Sequence, residues 1–299
     1  MSVARRLKRA VRVGLDELLR PSTPGAAPPP KPMPTGVGLS DGRVMTGHPV
    51  AGQMIVDGHC LLVTPRLLLG TYEPAVTAYL RAAVRPGDTV VDIGANQGFH
   101  TLTLGIGVLP GGHVWAFEPH PRSRSILLEN VASNFLHHSV TVSGAAAWNA
   151  EGELTFRART GEAAGSHLHA AYTIPGDVAE GEDITVPTID AGAFLAGLPS
   201  PPDLVKLDAE GSEPEILRAA ADVLRRHHPT IVLEVLRPTF DSDDAIDEWE
   251  RWLRDDLGYD VSYLDAGGMP RPQPRGCMRA LSGAVDVVLT VRGGRGAPD

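Results

Sequence analysis

Along most of the chain, short apolar runs alternate with stretches of helical spacing, and glycine or proline turns separate them. The run Val90, Val91, Ile93 reads as a buried strand. It carries one acid, Asp92, and breaks into a turn holding Gly94 and Gly98, after which the pattern becomes helical. Further strands are predicted at 113–117, 140–143, 203–208 and 229–235. Between them, residues 121–134 form a helix with Ile126, Leu127 and Val131 inward. A second helix follows the fourth strand, with Ile216, Leu217, Ala220 and Leu224 inward and Ser212 with Glu215 as its capping box. Ser242 caps an acidic helix running to 257, with Ile246, Trp249 and Leu253 inward. Such alternation is the signature of a parallel sheet with helices on its faces. The last two strands, 259–264 and 284–291, have no helical pattern between them and therefore pair antiparallel at the sheet edge.

Upstream, Glu73-Pro74 opens a helix whose buried stripe is Val76, Leu80, Ala83 and Val84. Residues 36–70 predict a small β appendage, with Ile55, Val56, Leu61, Leu62 and Val63 in short strands. Residues 1–20 place Val3, Leu7, Val11, Leu15 and Leu18 at helical spacing among six arginines and lysines. That is a basic amphipathic helix, suited to packing on the body or to peripheral contact with an anionic membrane. Residues 21–35 are a Pro-rich linker. The organisation expected is thus 1–35 helix and linker, 36–70 β appendage and 71–292 main domain. Within that domain, strands at 154–156 and 184–186 flank a loop containing Gly165, Ser166, His167 and His169, read as a lid or binding loop.

Composition narrows the function. A net charge of −9 over 299 residues argues against a general nucleic-acid binder. No apolar run is long enough to span a bilayer. Cys60 and Cys277 have neither metal-ligand nor redox spacing, which fits free thiols in a reducing cytoplasm. A cytoplasmic location is the expectation.

The chemistry lies at the strand ends. Asp92, Glu118 and Asp208 close core strands, and Glu234 lies near the end of the fifth. Glu118 falls 20 residues after Gly98, where a carboxylate accepts the hydroxyls of an adenosine ribose. A nicotinamide dinucleotide requires G-x-G-x-x-G before its pyrophosphate. The turn here is Gly94-Ala-Asn-Gln-Gly98, and Asp92 beside it would repel phosphate. S-adenosylmethionine carries a sulfonium and no phosphate, so an acid beside the turn attracts it.

Several motifs together resemble the FkbM family of S-adenosylmethionine-dependent methyltransferases. They are Asp-Ile-Gly-Ala-Asn-Gln-Gly (92–98), Phe-Glu-Pro (117–119), Val-Lys-Leu-Asp-Ala-Glu-Gly-Ser-Glu (205–213) and the strand containing Glu234. Gly-Thr-Tyr-Glu-Pro (70–74) and Val-Pro-Thr-Ile-Asp (186–190) fit as well. Ala209 stands where the family carries a larger aliphatic residue. The resemblance implies an α/β class I methyltransferase (Rossmann-like) fold, with a seven-stranded sheet and a terminal antiparallel pair. It implies S-adenosylmethionine as donor and O-methylation of a sugar, glycan or natural-product hydroxyl. By motif position, Asp92, Gly94, Asn96 and Gly98 cradle the methionine portion, Glu118 holds the ribose, and Ala145 and Ala146 lie beside the adenine.

An aliphatic hydroxyl gains from a general base. Asp208 is favoured for that role and Glu210 is the alternative. Glu213 reads as structural, at the start of its helix. His100, His120, His167 and His169 read as ordinary surface histidines, and Glu234 as a paired or structural acid. No metal site is assigned; Mg²⁺ between Asp208 and Glu234 is the lesser alternative. Two competing readings are an NAD(P)-dependent oxidoreductase, opposed by the turn spacing, and a non-catalytic binding module, opposed by the intact acids.

Overall fold

A computed structural model describes residues 36–159, 166–168, 181–291 and 293–294. The expected helix at 1–20, the linker at 21–35, and His169 with most of its loop lie outside the described residues. No described helix is long and apolar enough to cross a membrane.

The chain first forms a three-stranded antiparallel sheet of β1 (Val37–Gly38), β2 (Arg43–His48) and β3 (Gly52–Asp57). Leu61 to Val63 were expected to continue it as a strand. Instead the backbone turns, and helix α1 runs Val63–Leu69 to a left-handed cap at Gly70. Three apolar residues are too few to reveal a period. The decision comes from Thr64, whose hydroxyl donates to the Asp57 carbonyl at 2.6 Å, and from Leu67, buried one turn on. Met54 and Val56 of β3 share one apolar cluster with Val90, Leu102 and Leu127. An ion pair between Asp57 and Arg122 joins the same surfaces.

Helix α2 (Pro74–Ala83) leads into the main sheet, as its Glu-Pro start predicts. Strands β4 (Thr89–Ile93), β5 (His113–Phe117) and β6 (Val140–Ser143) alternate with helices α3 (Phe99–Gly107) and α4 (Pro121–Ser133). A four-stranded side sheet of β7 (Ala146–Trp148), β8 (Gly152–Arg159), β9 (His167–Leu168) and β10 (Gly181–Asp190) follows, with β8 antiparallel to β10, and then come helix α5 (Ala191–Ala196), β11 (Leu204–Leu207) and β12 (Thr230–Leu236). Helices α6 (Glu213–Ala219) and α7 (Ala221–His227) fill the interval between them. The strands β13 (Asp260–Leu264) and β15 (Ala284–Thr290) close the sheet antiparallel, as their connection predicts.

The sheet has eight strands where seven were expected, in the order β14-β13-β15-β12-β11-β4-β5-β6. The addition is β14 (Pro270–Pro272), folded back on β13. Asp265 builds the turn by accepting the Gly267 and Met269 amides at 3.0 and 2.9 Å. Prolines are tolerated there because an edge strand needs ladder bonds on one side only.

Two apolar layers cover the sheet. Val90, Leu204, Val232 and Val288 face α2, α3 and the N-terminal sheet, while Val91, Leu207, Ile231 and Leu289 face the opposite helices. This is the two-residue alternation of strands buried on both faces. It delivers the carboxyl ends of β4, β5, β11 and β12 to one edge.

Candidate functional site

At that edge the β4–α3 turn is fixed by its glycines. Gly94 has φ +82°, and a Cβ there would stand 1.7 Å from the Asp208 carbonyl oxygen. Only glycine therefore lets the turn and the β11 loop approach so closely. The Gly94 and Ala95 amides both donate to the Phe117 carbonyl at 3.0 Å, tying the turn to β5. Gly98 lies deeper, at φ +93°, and starts α3 against Leu127.

Glu118 is 6 % exposed. Its Oε2 accepts the Asn96 amide at 2.7 Å and its Oε1 the His120 amide at 2.8 Å. Burial outweighs these bonds and pushes its carboxyl up to about 7. Asn96 Oδ1 is buried with no hydrogen-bond partner among the described residues. Gly94, Asn96, Glu118, Ala146, Asp208, Glu210 and Glu234 line one cleft.

Three of the expected site residues stand elsewhere. Asp92 is fully buried behind the turn, accepting the Thr101 hydroxyl at 2.6 Å, with Lys206 Nζ 3.9 Å away. Gly98 is beneath the turn, and Ala145 faces a separate depression beside Gly144 and Arg124.

Tyr72 and Glu73, part of the Gly-Thr-Tyr-Glu-Pro motif but given no site role from sequence, also line the cleft. Glu73 caps α2 in a left-handed conformation (φ 40°), which turns its carboxylate inward. His100, expected at the surface, is 5 % exposed and its Nε2 lies 2.8 Å from Glu73 Oε2. Burial pushes Glu73 up, but the His100 hydrogen bond and the charges of His100 and Lys206 outweigh it and hold it at about 2. The legible signal was the Glu-Pro pair at the helix start; its partner, 27 residues on, was not legible. His120 is also buried, and its Nδ1 accepts the Ser123 amide at 3.3 Å as the cap of α4.

The β11 loop departs from the expected capping box. The Ser212 side chain makes no cap bond. Instead Glu213 turns back, its two oxygens accepting the Ala209 amide at 2.6 Å and the Gly211 amide at 2.9 Å. Its carboxylate braces the loop on both sides of Glu210, which has φ 50° and lines the cleft. Burial foremost, then the carboxylates of Asp208 and Glu210, push Glu213 up to about 8. Lys206 Nζ donates to Asp208 Oδ2 at 3.1 Å. No group of three acids, histidines or cysteines suited to a metal occurs among the described residues.

A family model described as the methyltransferase FkbM domain matches residues 92–261, more than half of the chain. The chain belongs to the FkbM methyltransferase family. No curated protein matches it. Solved structures similar to it include an FkbM methyltransferase from Methylobacillus flagellatus KT, at 19 % identity and TM-score 0.41, covering 77 % of this chain and 53 % of that one. A putative rRNA methylase from Clostridium thermocellum has 14 % identity and TM-score 0.44, covering 72 % and 92 %. An S-adenosylmethionine-dependent O-methyltransferase from Thermotoga maritima has 14 % identity and TM-score 0.42, covering 83 % and 77 %.

This FkbM methyltransferase has the class I fold and takes S-adenosylmethionine as its methyl donor. The cleft fits that donor: it offers the buried Glu118 carboxylate, the spare acceptor of Asn96, and a turn that only glycine allows to close on the β11 loop. The donor supplies an electrophilic methyl group on a sulfonium. The dinucleotide alternative is set aside.

Proposed function

We propose that this FkbM methyltransferase O-methylates a hydroxyl of a sugar, glycan or other natural-product small molecule. The observation that carries the reading is the group of acids, Asp208, Glu210 and Glu234, that line the same cleft as Glu118 and Asn96. A hydroxyl must lose a proton as it becomes an ether, and carboxylates within reach can receive it.

In this reading Glu118 accepts the ribose hydroxyls, Asn96 and the Gly94 backbone hold the methionine end, and Ala146 lies against the adenine. Asp92 and Gly98 serve from behind, Asp92 by fixing Lys206 and Gly98 by starting α3. Asp208, oriented by Lys206, and Glu210 face the acceptor. Alignment of the acceptor oxygen with the methyl group supplies much of the rate. The acids also disfavour a polyphosphate chain, whose binding depends on cations.

The test is S-adenosylhomocysteine release with S-adenosylmethionine, a panel of monosaccharides, glycans and hydroxylated natural products, and an rRNA transcript. A methyl ether located by mass spectrometry on a small hydroxylated acceptor is the expected product. Turnover of the transcript alone, or methylation at carbon or nitrogen, would overturn the proposal.

A further inference from the structure

Strand register sets the acids of the cleft in a single file. Lys206 of β11 lies between Asp92 of β4 and Val232 of β12, and Val232 pairs with Val288 of β15. Side chains two residues apart share a face. The next positions along that face are Asp208, Glu234 and Asp286, of which Glu234 and Asp286 are direct partners. The Asp208 amide donates to the Ile93 carbonyl at 3.0 Å, so the ladder continues to this row. Three carboxyl groups therefore stand on adjacent strands spaced about 4.8 Å apart.

The only ammonium on this face, among the described residues, is Lys206, and it is committed to Asp208 at 3.1 Å and Asp92 at 3.9 Å. The Glu234 side chain lines the cleft, and no hydrogen bond or ion pair holds it among the described residues. Like charges at this spacing cannot all be ionised in a partly buried site.

We propose that Glu234, rather than Asp208, receives the proton of the acceptor hydroxyl, and that it is ionised only while a cationic donor fills the cleft. This rests on the O-methylation reading above. The acceptor oxygen gains the methyl carbon, the carbon–sulfur bond breaks with its electron pair left on sulfur, and the O–H proton passes to a Glu234 oxygen.

The charges around Glu234 support the timing. Burial, then Asp208, Glu210, Asp286 and Glu213, push it up to about 9. Asp286 is pushed up to about 6, by burial and then by Glu73 and Asp208. In the empty cleft Glu234 is therefore a neutral acid at pH 7. A sulfonium nearby favours the carboxylate and expels the proton. Once the sulfur is a neutral thioether, that support is gone and Glu234 regains its affinity for a proton. Asp208 is instead bound to the Lys206 ammonium, 3.1 Å away.

Calorimetry on the full chain at pH 7, in buffers of different ionisation enthalpy, tests the proposal without an acceptor. S-adenosylmethionine binding should release roughly one proton, and S-adenosylhomocysteine binding much less. Glu234→Gln should remove the difference and weaken S-adenosylmethionine binding about tenfold or more while leaving S-adenosylhomocysteine within about fivefold, whereas Asp208→Asn should shrink the difference without abolishing it. An equal release for both ligands, a difference that survives in Glu234→Gln, or one that vanishes in Asp208→Asn overturns the assignment. If Glu234→Gln does not fold, infrared difference spectra of the wild type decide: the protonated-carboxyl band should vanish with S-adenosylmethionine and persist with S-adenosylhomocysteine. Failure of the acceptor panel would refute O-methylation and leave this measurement standing.

Discussion

Replacing Asn130 by leucine should be among the most damaging single changes outside the cleft. Asn130 lies on α4 and is 0 % exposed. Its Nδ2 donates to the carbonyls of Ile55 and Gln97, both at 2.8 Å, and its Oδ1 accepts the Ile55 amide at 2.6 Å. One carboxamide thus serves as strand neighbour to β3 and as anchor for the β4–α3 turn. One helical turn later Asn134 repeats the pattern with Gln53, accepting its amide at 2.9 Å and donating to its carbonyl at 2.6 Å. The spacing works because four helical residues rise about 6 Å and two strand residues about 6.6 Å.

Asn130→Leu keeps the volume but leaves two carbonyls and one amide buried without partners. At about 1–3 kcal/mol each, with partial relaxation, the expected loss is on the order of 3–6 kcal/mol. For a domain of this size that lowers Tm by roughly 10 °C or more. Urea unfolding followed by circular dichroism measures it directly. Asn134→Leu, at the exposed end, should cost only about 1 kcal/mol. A loss under about 1 kcal/mol for Asn130→Leu, or equal losses for the two variants, would falsify the view that α4 completes the edge of β3.

Three further outcomes are expected. Glu118→Gln should raise the dissociation constant of S-adenosylmethionine roughly tenfold to a hundredfold, the worth of hydrogen bonds to a charged acceptor; calorimetric titration checks this, and an unchanged affinity would remove Glu118 from the donor site. Lys206→Met should cost about 3–5 kcal/mol because Asp92 is then buried without a counter-charge, and adding Asp92→Asn should restore part of it; a harmless single variant in chemical denaturation refutes the pairing. Glu118, Glu213 and Glu234 are all held above an unfolded value of about 4.3, so the stability they contribute is complete below that pH and is lost as pH rises through 7 to 9. Glu73, held at about 2, acts the other way, its contribution present above about pH 4.3 and lost toward pH 2. The ligand-free protein should therefore melt at a lower temperature at pH 9 than at pH 6, and a Tm that rises over this range would contradict the assignment.

Periodicity made most of the parallel sheet legible. Val90, Val91 and Ile93, the 113–117 run and the paired final strands are local patterns, and burial on both faces leaves them no other conformation. Gly94 and Gly98 were legible for a similar reason, because a left-handed turn selects glycine from the residue's own backbone. Where a stretch was short, the pattern said too little: Leu61 to Val63 could be strand or helix until Leu67 found its place in the core. Partnership was the larger gap. Ser212 and Glu215 have the spacing of a capping box, yet Glu213 reached the loop amides first. His100 looked like a surface residue until Glu73, left-handed at the start of α2, met it across 27 residues.

The sequence by itself determined most of the parallel strands, the glycine turn after β4 and the S-adenosylmethionine donor. Only the tertiary structure decided what each acid does. Asp92 is sealed behind the turn, Glu118 keeps two amides, Asp208 is bound to Lys206, and Glu234 is left with like charges around it. A carboxyl group's proton affinity is a sum over burial and over charges brought near by strand register. That sum runs through space, and no window of neighbouring residues contains it.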